Sequence, residues 1–241
     1  MRRLVRGFWG PREESTEALA ARWLRTLDGV ARLVPEAGRG EAGPWTWRQS
    51  RESGPAGHLR ADASALAGAL RAAGAADDWS SSTGYGLSLA IGDEDGAGWQ
   101  VDVRGNAGGT SEFLLQSLVL AVTSPDGAHV PEAALLSLVA EAWAPDFGDV
   151  TDDDLLDALE DDGDFTVGDP CVGRLGYLSP ARAALVPDSL AAAHEELPGG
   201  GVLLDIAPPS KDTDAVVAAY VRLRETGALR PLPRPMTRSA L

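Results

Sequence analysis

The hydrophobic period of this chain falls from 3.6 to 2 at its middle, and that change limits the fold more than any other feature. Leu19, Trp23, Leu27, Val30 and Val34 recur at spacings of 4, 4, 3 and 4, which is one buried face of an amphipathic helix. The helix is expected to begin near Ser15 or Thr16, where a hydroxyl can cap the free amides of the first turn, and Glu13, Glu14 and Glu17 suit its positive end. From residue 85 the period falls to two. Tyr85, Leu87, Leu89 and Ile91 alternate with small residues, Gly92 to Gly98 turns the chain, and Trp99, Val101 and Val103 alternate with Gln100, Asp102 and Arg104. That pattern reads as a β-hairpin.

The other segments fall around this pair. Leu4 to Trp9 reads as a strand stopped by Gly10-Pro11, and Gly38 to Gly57 as a loop carrying Trp45 and Trp47. Leu59 to Ala73 fits a second, Ala-rich helix ending at Gly74. Phe113 to Val122 is almost continuously apolar, as in a central strand covered on both faces. Pro131 opens a helix through Leu135, Leu138, Val139, Ala142 and Trp143, and Pro145 closes it. Val172–Ser179 and Val202–Ile206 read as strands, and Asp214–Thr226 as a closing helix bearing Val217, Tyr220, Val221 and Leu223. The order β-α-α-β-β-β-α-β-β-α predicts an α+β fold: a mostly antiparallel central sheet with packed helices, in a single domain spanning 1–241. Residues 145–171 stand apart as an acidic insertion or loop.

Charge sets that segment apart. The net charge is -15. Residues 1–75 hold 12 Arg against 8 acids, residues 76–171 hold 21 acids and only Arg104, and residues 172–241 hold 7 acids against Lys211 and 7 Arg. Within 145–171 there are 11 acids and no base. Such a stretch repels phosphate and attracts cationic surfaces, so direct nucleic-acid binding is not expected. A chain this acidic from an Arg-rich, Ala-rich composition can also be acidic simply for solubility. No apolar run approaches the roughly 18–20 residues of a membrane span. Met1 to Arg6 leads into Gly-Phe-Trp-Gly-Pro instead of an apolar signal core. The single cysteine, Cys171, excludes a disulfide framework. The reading is a cytoplasmic protein with no membrane partner.

Catalytic patterns fail one by one. No G-x-S-x-G elbow occurs, and the glycine-rich stretch Gly105 to Ser111 lacks the lysine of a phosphate cradle. Asp93, Asp95 and Gly98 resemble a calcium loop, but Arg104 stands at the position of its bidentate Glu. Asp162 and Asp164 start a similar run with Val167 where a glycine must turn. His58, His129 and His194 lack partners at helical spacing, and Cys171 has no activating neighbour in sequence. Asp153 and Asp157, then Asp157 and Asp161, would share a helix face opposite Leu155, Leu156 and Leu159. Like charges there cost about 0.2–0.5 kcal/mol per pair, which a cationic partner would relieve. No catalytic residue, metal ligand or cofactor is assigned, and a non-enzymatic binding protein is expected. A hydrolase or metal-dependent enzyme built on the Asp-rich run, or a regulatory or assembly protein, are the alternatives.

Gly7-Phe8-Trp9-Gly10-Pro11-Arg12-Glu13-Glu14-Ser15, with Ala20-Ala21-Arg22 and Leu24-Arg25-Thr26-Leu27, resembles the opening of the immunity protein 52 family of bacterial polymorphic toxin systems. Gly86-Leu87-Ser88-Leu89, Ser117-Leu118-Val119-Leu120, Trp143-Ala144-Pro145-Asp146, Gly176-Tyr177-Leu178-Ser179 and Gly200-Gly201-Val202-Leu203 follow in order. The chain departs from the pattern at Leu89 to Gly92, where Trp-Asn is expected, and at Gln116, where Asn is expected. The resemblance implies an α+β protein that binds and blocks a cognate toxin domain, commonly a nuclease of restriction-endonuclease-like fold. The contact residues expected on this reading are Asp149, Asp152, Asp153, Asp154, Asp157, Glu160, Asp161, Asp162 and Asp164, with Trp45, Trp47 and Trp79 as aromatic anchors. Trp9, Gly10, Pro11, Arg12 and Ser15 are assigned a structural role.

Overall fold

The structure is a computed structural model that describes residues 1–38, 45–50, 57–77, 79–92, 98–191, 194–207 and 213–241. In chain order its elements are β1 (Arg2–Trp9), α1 (Thr16–Leu33), a 3-10 turn (Pro35–Gly38), β2 (Thr46–Gln49), β3 (Gly57–Arg60), α2 (Ala63–Ala73), β4 (Tyr85–Gly92), β5 (Gln100–Ala107), β6 (Gln116–Thr123) and α3 (Glu132–Trp143). Then follow β7 (Phe147–Thr151), α4 (Asp153–Gly163), β8 (Leu175–Leu178), α5 (Pro180–Ala183), α6 (Asp188–Ala191), β9 (His194–Glu196), β10 (Val202–Asp205) and α7 (Thr213–Glu225). The ten strands form one sheet in the order β3-β2-β4-β5-β6-β1-β7-β8-β10-β9. Every neighbouring pair is antiparallel. The fold is α+β and forms one domain.

Strand alternation sorts side chains onto two faces. Val5, Leu89, Val103, Leu120 and Val150 share one face with α1, α2 and α3, whose Trp23, Leu66 and Trp143 complete the larger core. Trp9 stacks on Trp143 at 5.4 Å, Trp23 meets the same ring edge-on at 5.7 Å, and the Trp143 Nε1 donates to Thr26 Oγ1 at 2.8 Å. On the opposite face, Phe147, Leu178 and Leu204 pack with Leu155 and Leu159 of α4 and Val216, Tyr220 and Leu223 of α7. That second layer roofs the β7-β8-β10 half. Over β4, β5 and β6 no described helix covers the same face.

The long periodic elements stand where the sequence puts them, and the differences are local. Ser15 caps α1, its Oγ accepting from the Ala18 amide at 3.2 Å. The segment read as a loop from Gly38 to Gly57 contains β2, and Leu59 belongs to β3, so α2 starts later, at Ala63, with Asp62 as its cap. Phe113 and Leu114 lie before β6, and that strand buries one face while the other stays half-covered. On α7 Tyr220 and Leu223 face inward as the spacing predicts, joined by Val216 and Ala219, whereas Val217 is half-buried and Val221 exposed. The short elements β9, α5 and α6 carried no sequence signal. The acidic segment starts with regular structure, β7 buried at all five positions between β1 and β8 and α4 directly after it, while residues 164–171 form neither helix nor strand.

A buried ion pair closes the molecule. Arg182 Nη2 donates to Asp146 Oδ2 at 2.6 Å, and neither side chain is exposed. Asp146 Oδ1 also accepts from Ser179 Oγ at 3.0 Å and from the Leu241 amide at 2.9 Å, while Arg182 Nη1 donates to the carbonyls of Ala228 and Arg230. One guanidinium and one carboxylate thus fasten the chain after α7 to the end of β7. Removing one member of such a pair leaves an uncompensated buried charge, at a cost of about 3–5 kcal/mol. Arg182→Ala is expected to lose that much stability in denaturant titration, and a loss below about 1 kcal/mol would contradict this role.

Candidate functional site

Asp152 organises the acidic region. Its Oδ1 accepts from the Leu155 amide at 3.0 Å and so caps α4, while Oδ2 receives Arg174 Nη1 at 2.7 Å and Arg3 Nη1. Arg3 also donates from Nε to Glu132 at 2.7 Å. Leu155 and Leu159 anchor the helix in the second core, and Gly163 lies against the Tyr220 ring, where a Cβ would come within 3.0 Å. At its end Asp164 turns left-handed with φ 54°, and Arg224, lying over Tyr220, donates to the Gly163 carbonyl at 2.7 Å. Both ends of α4 are held by arginines from elsewhere in the chain.

The solvent side of α4 is anionic. Asp153, Asp154, Asp157, Glu160, Asp161, Asp162 and Asp164 are all exposed. Asp153 has Arg2 at 3.4 Å, a pair open to water, and with Asp154 it benefits from the positive helix end. Glu160, Asp161 and Asp162 crowd the negative end, whose last turn carries no base. These seven carboxylates form a ridge in which like charges stand at helical spacing, held in place by packing beneath them.

Three of the residues expected at the contact surface, Asp149, Asp152 and Trp47, are taken up by the fold. Asp149 is fully buried: Arg6 Nε donates to its two oxygens at 3.0 and 3.3 Å, and the Cys171 thiol approaches at 3.6 Å. Burial pushes the Asp149 carboxyl up against the pull of Arg6. Burial lowers the Arg6 guanidinium, but Asp149 and Cys171 outweigh it, so Arg6 sits above its ordinary value. The Cys171 thiol is driven well up by burial and by Asp149, which leaves it an inert packing group. Asp152, enclosed by its two arginines, is structural. Trp47 is fully buried in the larger core, because Thr46 to Gln49 is a strand and the indole points inward. Trp79 is half-buried, packing on Tyr85 at 5.3 Å with its Nε1 covered. Trp45 is half-buried, tilted against Trp47 at 5.9 Å, and its ring lies where a Gly38 side chain would stand.

Among the large apolar residues that face solvent, Met1, Val167 and Val221 stand singly, whereas Phe113 and Leu114 are adjacent, 59% and 54% exposed on the β5–β6 loop. The apolar run hid them, since it reads as one strand. The sequence signal that could have separated them is Gly108-Gly109-Thr110-Ser111, whose Ser111 Oγ accepts from the Phe113 and Leu114 amides at 3.2 Å each. Gln116 is buried, takes the Gly108 amide at 2.7 Å, and donates to the carbonyls of Gly10 at 3.1 Å and Gly109 at 2.8 Å. The Trp-Gly-Pro-Arg motif meets this loop. Arg12 lies 5.1 Å over Trp9 and shares Glu14 with Arg22, and the Gly10 amide donates to Ser239 at 2.8 Å where a Cβ would strike the Arg238 carbonyl. Pro11 stands at the exit of β1 between these two anchors.

Among the described residues no group of three or more His, Cys, Asp or Glu side chains converges on a metal position. Asp93 and Asp95 lie outside the described residues, as does Lys211. An open hollow of about 590 Å³ is lined by Arg32, Glu36, Trp99 and His129 among others, with no nucleophile and base in contact. No described helix is long and apolar enough to cross a membrane.

Neither a family model nor a curated protein matches this chain. In structure it is similar to a Pseudomonas aeruginosa type VI secretion system (T6SS) protein, PA0821. The TM-score is 0.52 and the identity 16%, covering 95% of this chain and 73% of that one. At that identity the likeness shows the fold.

The two kinds of aspartate on α4 should separate cleanly. Asp152→Ala removes the cap and leaves Arg3 and Arg174 without their shared carboxylate, and is expected to cost at least about 2 kcal/mol. Asp157→Ala removes a repulsive neighbour and should leave stability within about 0.5 kcal/mol of the parent or slightly above it. Equal losses in thermal unfolding would contradict the division.

Proposed function

We propose that this chain is an immunity protein that binds and neutralises a cognate toxin of a bacterial polymorphic toxin system. The observation that carries the reading is the α4 ridge: seven exposed carboxylates fixed on a helix that is clamped at both ends and cored by leucines. A rigid anionic ridge fits a cationic groove, and a nuclease must present such a groove to phosphate. The resemblance of the opening segment to the immunity protein 52 family supports the same assignment, with a toxin of restriction-endonuclease-like fold. The fold shared with a T6SS-named protein agrees with a role in a secretion-linked toxin system.

On this reading the protein acts in the cytoplasm as a stoichiometric blocker, without substrate turnover or cofactor. Complementary charge speeds encounter, toward about 10⁸–10⁹ per molar per second at low salt, so that the groove is filled before nucleic acid reaches it. The carboxylates point outward from a convex helix and enclose no shared dry cleft. Acid–base catalysis needs such a cleft to set two carboxyl groups apart, so contact is the better use of this surface.

The test pairs the chain with the toxin-like protein encoded beside its gene. Cells should survive toxin expression only when both are present. Asp157, Glu160 and Asp161 replaced together by Lys should slow association at least tenfold at low salt and flatten its salt dependence, with the melting temperature preserved. Association rates unchanged from the parent would remove the ridge from the mechanism.

A further inference from the structure

The register identifies an apolar strip, partly open to solvent, on the face that α4 and α7 leave half-covered. Leu4 pairs with Ala121 and Phe8 with Ser117, while Val119 stands between Arg6 and Arg104. Leu4, Phe8, Val119 and Ala121 are each half-buried, with Phe8 stacked on Phe147 at the edge of the second core at 5.2 Å. The loop that leads into β6 beside Phe8 and Ser117 carries Phe113 and Leu114. Their loop is not slack: Ser111 holds both amides, the Glu112 carbonyl accepts from the Met236 amide at 2.7 Å, and Gln116 ties Gly108 and Gly109 to β1. Two adjacent large apolar side chains, more than half exposed on a fixed backbone, make a preorganised anchor whose ordering cost is already met.

We infer that this strip, with Phe113 and Leu114 on the loop that leads into it, is the apolar half of the partner interface, of which the α4 ridge is the electrostatic half. The inference rests on the immunity reading above. The two surfaces adjoin at β1, where Arg2 reaches Asp153. The four strands β4, β5, β6 and β1, at about 4.8 Å spacing and eight residues of about 3.3 Å rise, give this face an area of about 500 Å², half of it on β1 and β6, which carry the apolar strip. That is short of the roughly 800 Å² per partner of a stable complex, and α4 beside it makes up the difference. The occupant is therefore one protein that spans both: cationic where it meets α4, apolar over β1 and β6. Over β5 it is neutral or acidic, where the exposed Arg104 has no ion pair among the described residues. A second copy fits poorly, because each copy carries -15.

The experiment measures association and dissociation of the full chain with the neighbouring toxin domain. Phe113→Ser with Leu114→Ser should raise the dissociation rate at least tenfold, with the association rate within twofold of the parent. Val119→Glu, flanked by Arg104 and Arg6 and so compatible with folding, should do the same from the middle of the strip. Dissociation rates within twofold of the parent for both variants overturn this inference and leave the immunity reading standing. Absence of binding by the parent chain overturns the immunity reading and this inference with it. A free protein that sediments as a dimer, and as a monomer after the Phe113 and Leu114 changes, assigns the strip to a second copy and overturns it as well.

Discussion

Strand β7 can lie in the middle of the sheet only because its carboxylates are met by arginines. Asp146, Asp149 and Asp152 occur at intervals of three along and beside it, and all lie where water is largely excluded. Ionised carboxylates in such positions are costly unless paired and hydrogen-bonded. Arg182 supplies the first, Arg6 the second, and Arg3 with Arg174 the third. Two of these bases come from β1, and the other two flank β8, the strands that sandwich β7. The sheet's central register and its ion pairs therefore specify one another.

That arrangement decides where the negative charge of the molecule is felt. Eleven acids fall between residues 145 and 171. Three are compensated inside the fold, and Asp169 is half-buried, so the uncompensated surplus is confined to the outer side of α4. The helix cannot swing away from it, because Asp152 fixes one end and Arg224 the other. Beside it the sheet is half-covered, and the β5–β6 loop carries two exposed apolar side chains on a hydrogen-bonded backbone. The outward carboxylates of α4 and the half-buried Leu4, Phe8, Val119 and Ala121 thus stand on the same side of the sheet, opposite the Trp9, Trp23 and Trp143 core.

Elements with several turns of clean periodicity were legible: α1 with its Ser15 cap, the β4–β5 hairpin, α3 and α7 all follow from spacing. Strand β7 was not, because Phe-Gly-Asp-Val-Thr shows no alternation and sits in a run of acids. Its burial depends on arginines more than twenty residues away at the nearest. The same remoteness misled the reading of Asp149 and Asp152, since no local pattern reveals Arg3, Arg6 or Arg174. Trp47 was misplaced for a simpler reason: a four-residue strand between Gly- and Pro-rich stretches is too short to announce its period. The seven outward carboxylates were legible from helical spacing against Leu155 and Leu159. Phe113 and Leu114 were lost inside an apolar run whose first residues belong to a turn.

The most direct test of the account is amide hydrogen exchange of this chain alone and in complex with the toxin domain encoded beside it. The account predicts new protection over residues 153–164 and 113–121, with α1 and α2 unchanged. Protection confined to the α1 and α2 side, or none anywhere, would contradict it.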